Sequence, residues 1–302
     1  MTALLAQSSD APVRPPAARS AAVWWAVPPL AIVLLVAVYP LIRVCLESVT
    51  GVGTQSSWAS VLASEAFRDA LWRTVAIAAA ATLGCLVLGT FLAVVLAFVP
   101  FPGSRLVGRL IDTVLALPSF LVTLAFTFLY GTAGAVNAAI AGVTGDRAPV
   151  LNFLYTPAGV IAAEITFFTP FVIRPLLASF SMLPRAQLNV AASLGASPLR
   201  VLRSVVLPEA WPALTAGGSL VLLLTLNEFG IVLFTGAKGV TTLPVLIYTR
   251  GIVTFDLPGA AVIATVQIAL SLTLYGVYRL VFARLMAQRG RASTDVAVEP
   301  SQ

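Results

Sequence analysis

Residues 185–208, RAQLNVAASLGASPLRVLRSVVLP, decide how this chain is to be read. They form a semi-polar interruption in an oily sequence, punctuated by Asn189-Val190-Ala191, Gly195, Val205 and Leu207-Pro208. Pro184 through Leu194 contains good helix formers, and Gly195 stands where a left-handed cap ends such a helix. Ser197-Pro198 restarts a helix, with serine as N-cap and proline at the first helical position. That second helix carries Leu199, Val201, Leu202, Val205 and Val206 on an apolar side, with Arg200 and Arg203 toward water or headgroups. Leu207-Pro208 is expected to end it, since proline disfavours helix at the preceding residue. The expectation is helix, tight turn, helix, lying along a membrane face. An ordinary interfacial connector would lie there too, but it has no need of a glycine and a Leu-Pro at these separations.

Around this stretch the chain is built for lipid. Its 302 residues are 59% hydrophobic and only 10% charged, with a mean hydropathy of +0.98. Soluble domains carry about 25% charged residues. Six apolar stretches reach the ~20 residues a bilayer crossing takes: 23–44, 75–99, 110–130, 157–183, 214–234 and 258–281. The fold class expected is therefore all-α, a polytopic membrane protein with six transmembrane helices.

Orientation follows from the arginines. A net charge of +6 on a soluble protein would suggest nucleic acid; here it marks cytoplasmic loops, and no nucleic-acid partner is assigned. With the N-terminus inside, Arg14, Arg19, Arg105, Arg109, Arg185, Arg200, Arg203, Arg279, Arg284, Arg289 and Arg291 fall on inner segments. Arg43, Arg68, Arg73, Arg147, Lys238 and Arg250 fall on outer ones, and Arg174 lies inside a span. Eleven against six puts both termini and residues 185–208 on the cytoplasmic side. No histidine exists, which removes His-based metal sites and catalytic triads. Cys45 and Cys85 have no CxxC or zinc spacing and read as small apolar side chains. No catalytic residue, metal or cofactor is assigned.

Residues 1–22, rich in Ala, Pro and Ser, read as a disordered cytoplasmic lead. The apolar run after Arg19 is longer than a signal-peptide core, which favours an uncleaved anchor over a cleaved signal. Residues 23–70 hold the first span and an outer loop, with 67–72 as a short amphipathic helix. Residues 71–285 form a five-helix core, 131–156 include a second outer segment, and 286–302 read as a disordered cytoplasmic tail. No internal repeat is visible, so an inverted-repeat secondary transporter draws no support.

Polar residues inside spans are costly, about 2.5–3.5 kcal/mol for a charge at mid-bilayer on insertion scales, and usually face protein or a cavity. Glu164 lies ~10 Å into the fourth stretch and Glu228 ~9 Å from the outer end of the fifth, at 1.5 Å per residue. The two carboxylates thus share a depth, and Arg174 is ~15 Å from Glu164 along the helix, beyond direct pairing. Glu164, Asn227 and Glu228 are candidates to line a pathway for a solute with a cationic group; interhelical pairing is the simpler alternative. Asn227 and Gln267 are placed to hydrogen-bond between helices. Pro170 and Pro175 are expected to kink the fourth span.

The punctuation of 185–208 resembles the cytoplasmic coupling loop of inner-membrane permeases of binding-protein-dependent ABC importers. Their consensus is Glu-Ala-Ala, three residues, Gly, nine residues, Ile, one residue, Leu-Pro. Gly195, Leu207 and Pro208 fall in place, Ala191 matches the second Ala, Val205 replaces Ile, and Asn189-Val190 departs from Glu-Ala. The resemblance covers about 71–285. It implies a type I permease fold, with Asn189, Ala191, Ala192, Leu194, Gly195, Val205, Leu207 and Pro208 meeting the ATPase. It implies as partners a cytoplasmic ATPase dimer, a second permease subunit, alike or distinct, and a periplasmic or extracellular substrate-binding protein. Division of labour agrees with the residues: a P-loop needs Gly-Lys before Ser or Thr, and the sole lysine, Lys238, follows Ala237. The segment NEFGIVLFTGAKGVTTLPVLIYTRG, from Asn227, is similar to permeases for 2-aminoethylphosphonate, within a wider group importing polyamines, sulfate and ferric iron. The competing class is an ATP-independent secondary transporter in which Glu164 and Glu228 carry coupling protons.

Overall fold

The Glu65–Phe98 helix organises the packing. Its start is conventional: Ser64 is extended and its hydroxyl accepts the Phe67 N–H at 3.3 Å, with Glu65 in the positive first turn. Its buried residues are Phe67, Ala70, Thr74, Ile77, Ala78, Ala81, Thr82, Cys85, Gly89 and Ala93, a stripe of mostly small side chains spaced three and four apart. Such a stripe lets neighbouring backbones approach closely. The opposite face is no less apolar, with Trp72, Leu83, Val87 and Phe91 exposed. A helix hydrophobic all round is a membrane helix, because its outer face meets lipid rather than water.

The computed structural model describes residues 19–50, 58–145 and 149–297, and every regular element among them is helical. Two units are distinguished, Met1–Leu46 and Glu47–Gln302. In the first, the described residues form the helix Arg19–Val33, a π-helical turn at Leu34–Val38, and the start of Tyr39–Thr50. In the second, Glu65–Phe98 packs against Pro157–Phe168, Pro170–Ser181 and Leu207–Leu226. Val160, Ala163, Val172, Ile173, Leu176 and Val221 are buried between them. A smaller cluster joins Val61, Phe67 and Ala70 to Leu243, Leu246, Val262 and Ile263. Thr74 ties this smaller cluster together, donating to the Ala70 carbonyl at 2.7 Å and accepting the Leu243 N–H at 2.8 Å.

Six helical segments among the described residues are long and apolar enough to cross a membrane: Trp24–Val49, Glu65–Phe98, Ser119–Thr144, Pro157–Ser181, Pro198–Leu226 and Leu257–Leu285. The expected number of spans holds, with four corrections to their edges. The third stretch, 110–130, is two helices: Ser104–Ala116 ends at Leu117, held extended before Pro118, and Ser119–Tyr130 begins anew. The fifth, 214–234, starts earlier, runs from Pro198 to Leu226, and breaks at Asn227 before the short helix Gly230–Thr235. Residues 67–72 belong to Glu65–Phe98 rather than to a separate helix, so the boundary at residue 70 cuts an element; the short helix there is Trp58–Ala63. The last helix, Leu257–Ala297, continues well past 286, where a disordered tail was expected, since Met286, Ala287 and Gln288 all favour helix. Of the disordered lead expected at 1–22, residues 19–22 instead belong to the helix Arg19–Val33, and 1–18, like Arg147 on an outer segment, lie outside the described residues.

Pro170 does not divide the fourth span. Thr169 is itself helical (φ −53°, ψ −40°), and the Thr169 hydroxyl returns to the Ile165 carbonyl at 2.6 Å. Side-chain bonds of that kind are how membrane helices absorb proline.

Candidate functional site

The hairpin at 185–208 is built as its residues dictate, except at its end. The helix Arg185–Ser193 closes at Leu194, and Gly195 takes φ +76°. The Gly195 N–H donates to the Ala192 carbonyl at 3.0 Å and the Ala196 N–H to the Ala191 carbonyl at 3.1 Å, a Schellman pair that satisfies two open carbonyls. Ser197 is extended (φ −64°, ψ 153°) and Pro198 opens the next helix. Ser197 serves as N-cap through its backbone alone, because its hydroxyl makes no capping bond.

Pro208 corrects the expectation that Leu207-Pro208 ends the second helix. Pro198–Val201 passes into a π-helical turn, Leu202–Val206, and runs on without a break into Leu207–Leu226. The Leu207 N–H reaches back to the Leu202 carbonyl, one residue further than in an α-helix. The widened turn lets a proline that lacks a donor enter the helix. The second arm of the hairpin is consequently continuous with the fifth span, not a loop hung between breaks.

Its apolar residues are left open. Leu194 is 81% exposed, Val190 58% and Leu199 55%. Ala186, Gln187, Val190, Ala191, Leu194 and Val205 line one shallow groove, while Ala192 and Pro208 are exposed beside it. Asn189 faces elsewhere, into a recess shared with Ala97, Phe98, Phe180, Leu183 and Leu188. The residues of the sequence pattern therefore divide between two surfaces.

The three polar candidates within the spans receive different environments. Glu164, on Pro157–Phe168, is fully buried and neither carboxyl oxygen has a hydrogen-bond partner. Glu228 lies in the break after Leu226, where Oε1 accepts the Ile231 N–H at 2.8 Å and the Ser119 hydroxyl at 3.0 Å. It caps the short helix Gly230–Thr235 and ties it to Ser119–Tyr130. Asn227 is exposed; its side-chain N–H donates to the Leu223 carbonyl at 2.7 Å. Gln267 donates to the Leu226 carbonyl at 2.7 Å and to Asn227 Oδ1 at 3.4 Å, so the expected Asn227–Gln267 contact is present. The Leu226 carbonyl is one of those a helix end leaves open, and Gln267 fills it.

Sequence reasoning missed one contact. Arg174 pairs with Asp112 and donates from Nη2 to the Gly108 carbonyl at 3.1 Å, joining Pro170–Ser181 to Ser104–Ala116. Asp112 lies inside the stretch read as the third span, and the rule that singled out Glu164 applies equally to it. No group of His, Cys, Asp and Glu able to hold a metal occurs among the described residues.

Residues 86–287 match the family described as the binding-protein-dependent transport system inner membrane component. The chain is 46% identical over 276 residues to PhnU of Salmonella typhimurium, named for a 2-aminoethylphosphonate transport system permease; the match covers 90% of this chain and 96% of that protein. It is 33% identical over 193 residues to the sulfate transport system permease CysT of Salmonella typhimurium, covering 62% of this chain and 66% of CysT. In fold it is similar to a chain of a bacterial ABC transporter for alginate import, with a TM-score of 0.76 at 17% identity, over 88% of this chain and 96% of that one. The methionine ABC transporter MetNI in an inward-facing conformation gives 0.52 at 19% identity, over 72% and 94%.

Proposed function

The chain belongs to the binding-protein-dependent transport system inner membrane components, and from that premise we propose that it is the permease subunit of an ATP-driven importer of 2-aminoethylphosphonate. The observation that carries the coupling role is the hairpin at 185–208, whose exposed Val190, Leu194 and Leu199 have no covering among the described residues. Apolar side chains held out on a proline-started, glycine-capped hairpin suit a protein groove better than water. That groove is assigned to a cytoplasmic ATPase dimer, which binds and hydrolyses ATP. A movement of the hairpin passes directly into the fifth span, because the helix is unbroken through Pro208.

The solute assignment rests on the likeness to PhnU, which covers nearly the whole of both chains. A second permease subunit completes the pathway and an external binding protein delivers the solute. Both termini and the hairpin face the cytoplasm. Asn227, exposed at the break in the fifth span, is proposed to line the pathway, with Glu164 and Glu228 behind it.

The deciding experiment is Gly195→Val. An αL position costs a residue with a Cβ about 1–2 kcal/mol, and β-branching adds to this, so the hairpin reorients. The variant is expected to insert and accumulate normally while losing both co-purifying ATPase and solute uptake. Retention of both would sink the coupling assignment, and uptake by the isolated chain in ATP-free vesicles would favour a secondary transporter. Orientation has its own check: without Cys45 and Cys85, a cysteine at Lys238 should label from outside intact cells and one at Ser197 should not.

A further inference from the structure

Pro157–Ser181 contains one basic residue, Arg174, seven residues or ~10 Å from its inner end. Unlike Glu164 in the same span, Arg174 is open: its side chain is 41% exposed and that of its partner Asp112 is 51% exposed. A charge at this depth avoids hydrocarbon and faces protein or a water-filled cavity.

Asp112 belongs to a strongly amphipathic helix. On Ser104–Ala116, Arg105, Arg109 and Asp112 follow at spacings of four and three, so they share one face, and all three are exposed. Ile111 and Val114 pack toward the core instead. The polar face thus presents two arginines, and Arg174 adds a third against the single carboxylate of Asp112. The balance favours an anion. Within the guanidinium, Nη2 alone bonds to Gly108 and Asp112, while Nε is buried without a partner.

We propose that Arg174 and Asp112 form a solute station on the inner half of the pathway. Arg174 receives the tetrahedral oxyanion, which its planar fork matches in two-point fashion. Asp112 receives the ammonium group. The ion pair is the resting form, in which each side chain occupies the other's ligand position, and a zwitterionic solute replaces both halves at once without leaving either charge unpaired. Arg105 and Arg109 continue the positive surface toward the cytoplasm. The inference rests on the permease reading above and extends it to the two residues that recognise the solute.

The rival role is a plain clip between the two helices, and exchanging the charges separates the two. Arg174→Asp combined with Asp112→Arg preserves a clip but moves each ligand site to the wrong helix. With radiolabelled 2-aminoethylphosphonate and the full transporter, the exchanged pair is expected to accumulate, retain the ATPase and lose uptake by more than about tenfold, the scale of a lost charge-assisted bond. Arg174→Lys, which keeps charge without the fork, should raise the KM for uptake several-fold at an unchanged maximal rate. Uptake restored by the exchange would overturn the proposal in favour of the clip. Should the exchanged protein fail to accumulate, Arg174→Lys decides alone, and an unchanged KM overturns it. Absence of 2-aminoethylphosphonate uptake by the wild-type transporter, with the ATPase still bound, would sink the solute assignment and this station with it.

Discussion

In the seam between Glu65–Phe98 and the fourth span, a Cβ added to Gly89 would come within 2.8 Å of Val172 Cβ, and one added to Gly84 would collide with the Ile165 side chain. In the hairpin at 185–208, a Cβ added to Gly195 would meet nothing within 4 Å, yet the backbone there has φ +76°. The first region requires glycine because of its neighbours, the second because of its own backbone. Damage in the seam should therefore cost the fold, and damage in the hairpin should cost only a direction.

Gly89→Leu is the largest way to test the seam. Val172 is fully buried and cannot retreat, and overpacking a tight core costs about 1–3 kcal/mol, sometimes more. The expected result is little accumulated protein and a lowered melting temperature in detergent. Normal accumulation would show that the seam is looser than its distances imply. Gly195→Val, by contrast, should leave accumulation intact and remove function; failure of that variant to insert would erase the distinction between the regions.

Glu228 offers an intermediate effect. Glu228→Ala removes the acceptor for the Ile231 N–H and the Ser119 hydroxyl, a loss of about 1–3 kcal/mol for groups left unpaired. Glu228→Gln keeps a carbonyl oxygen there and should accumulate better than the alanine variant. Uptake by the glutamine variant then reports on a pathway role separately from the cap, and equal accumulation of the two variants would refute the cap.

Ser197→Ala should do least. Serine N-caps are typically worth about 1 kcal/mol, but this hydroxyl makes no capping bond. A shift in thermal stability below about 0.5 kcal/mol is expected, as for an ordinary surface change. A full cap-sized loss would mean that the hydroxyl is engaged in the assembled transporter.

The hairpin was legible in its residues because its geometry is local: Gly195 and Ser197-Pro198 act within a few residues of themselves. Pro208 was misread for a related reason. The local rule sees a proline as a stop, whereas the helix escaped through the π-helical turn at Leu202–Val206. Asn227 and Glu228 were placed inside a span because their segment is apolar. The break there depends on Glu228 meeting Ser119, 109 residues earlier, and on Gln267 meeting Leu226, 41 residues later.

The sequence by itself determined that this chain lives in a bilayer, crosses it about six times, and carries a capped helical hairpin between its fourth and fifth spans. Composition, run length and turn chemistry are enough for that, since each acts over no more than a helix length. Only the tertiary structure decided that Glu164 is sealed in the core while Arg174, ten residues on, is open and paired. Which face of an all-apolar helix turns inward is set by the shapes of its neighbours. In lipid both faces are hydrophobic, and the periodicity that would reveal the answer in water is absent.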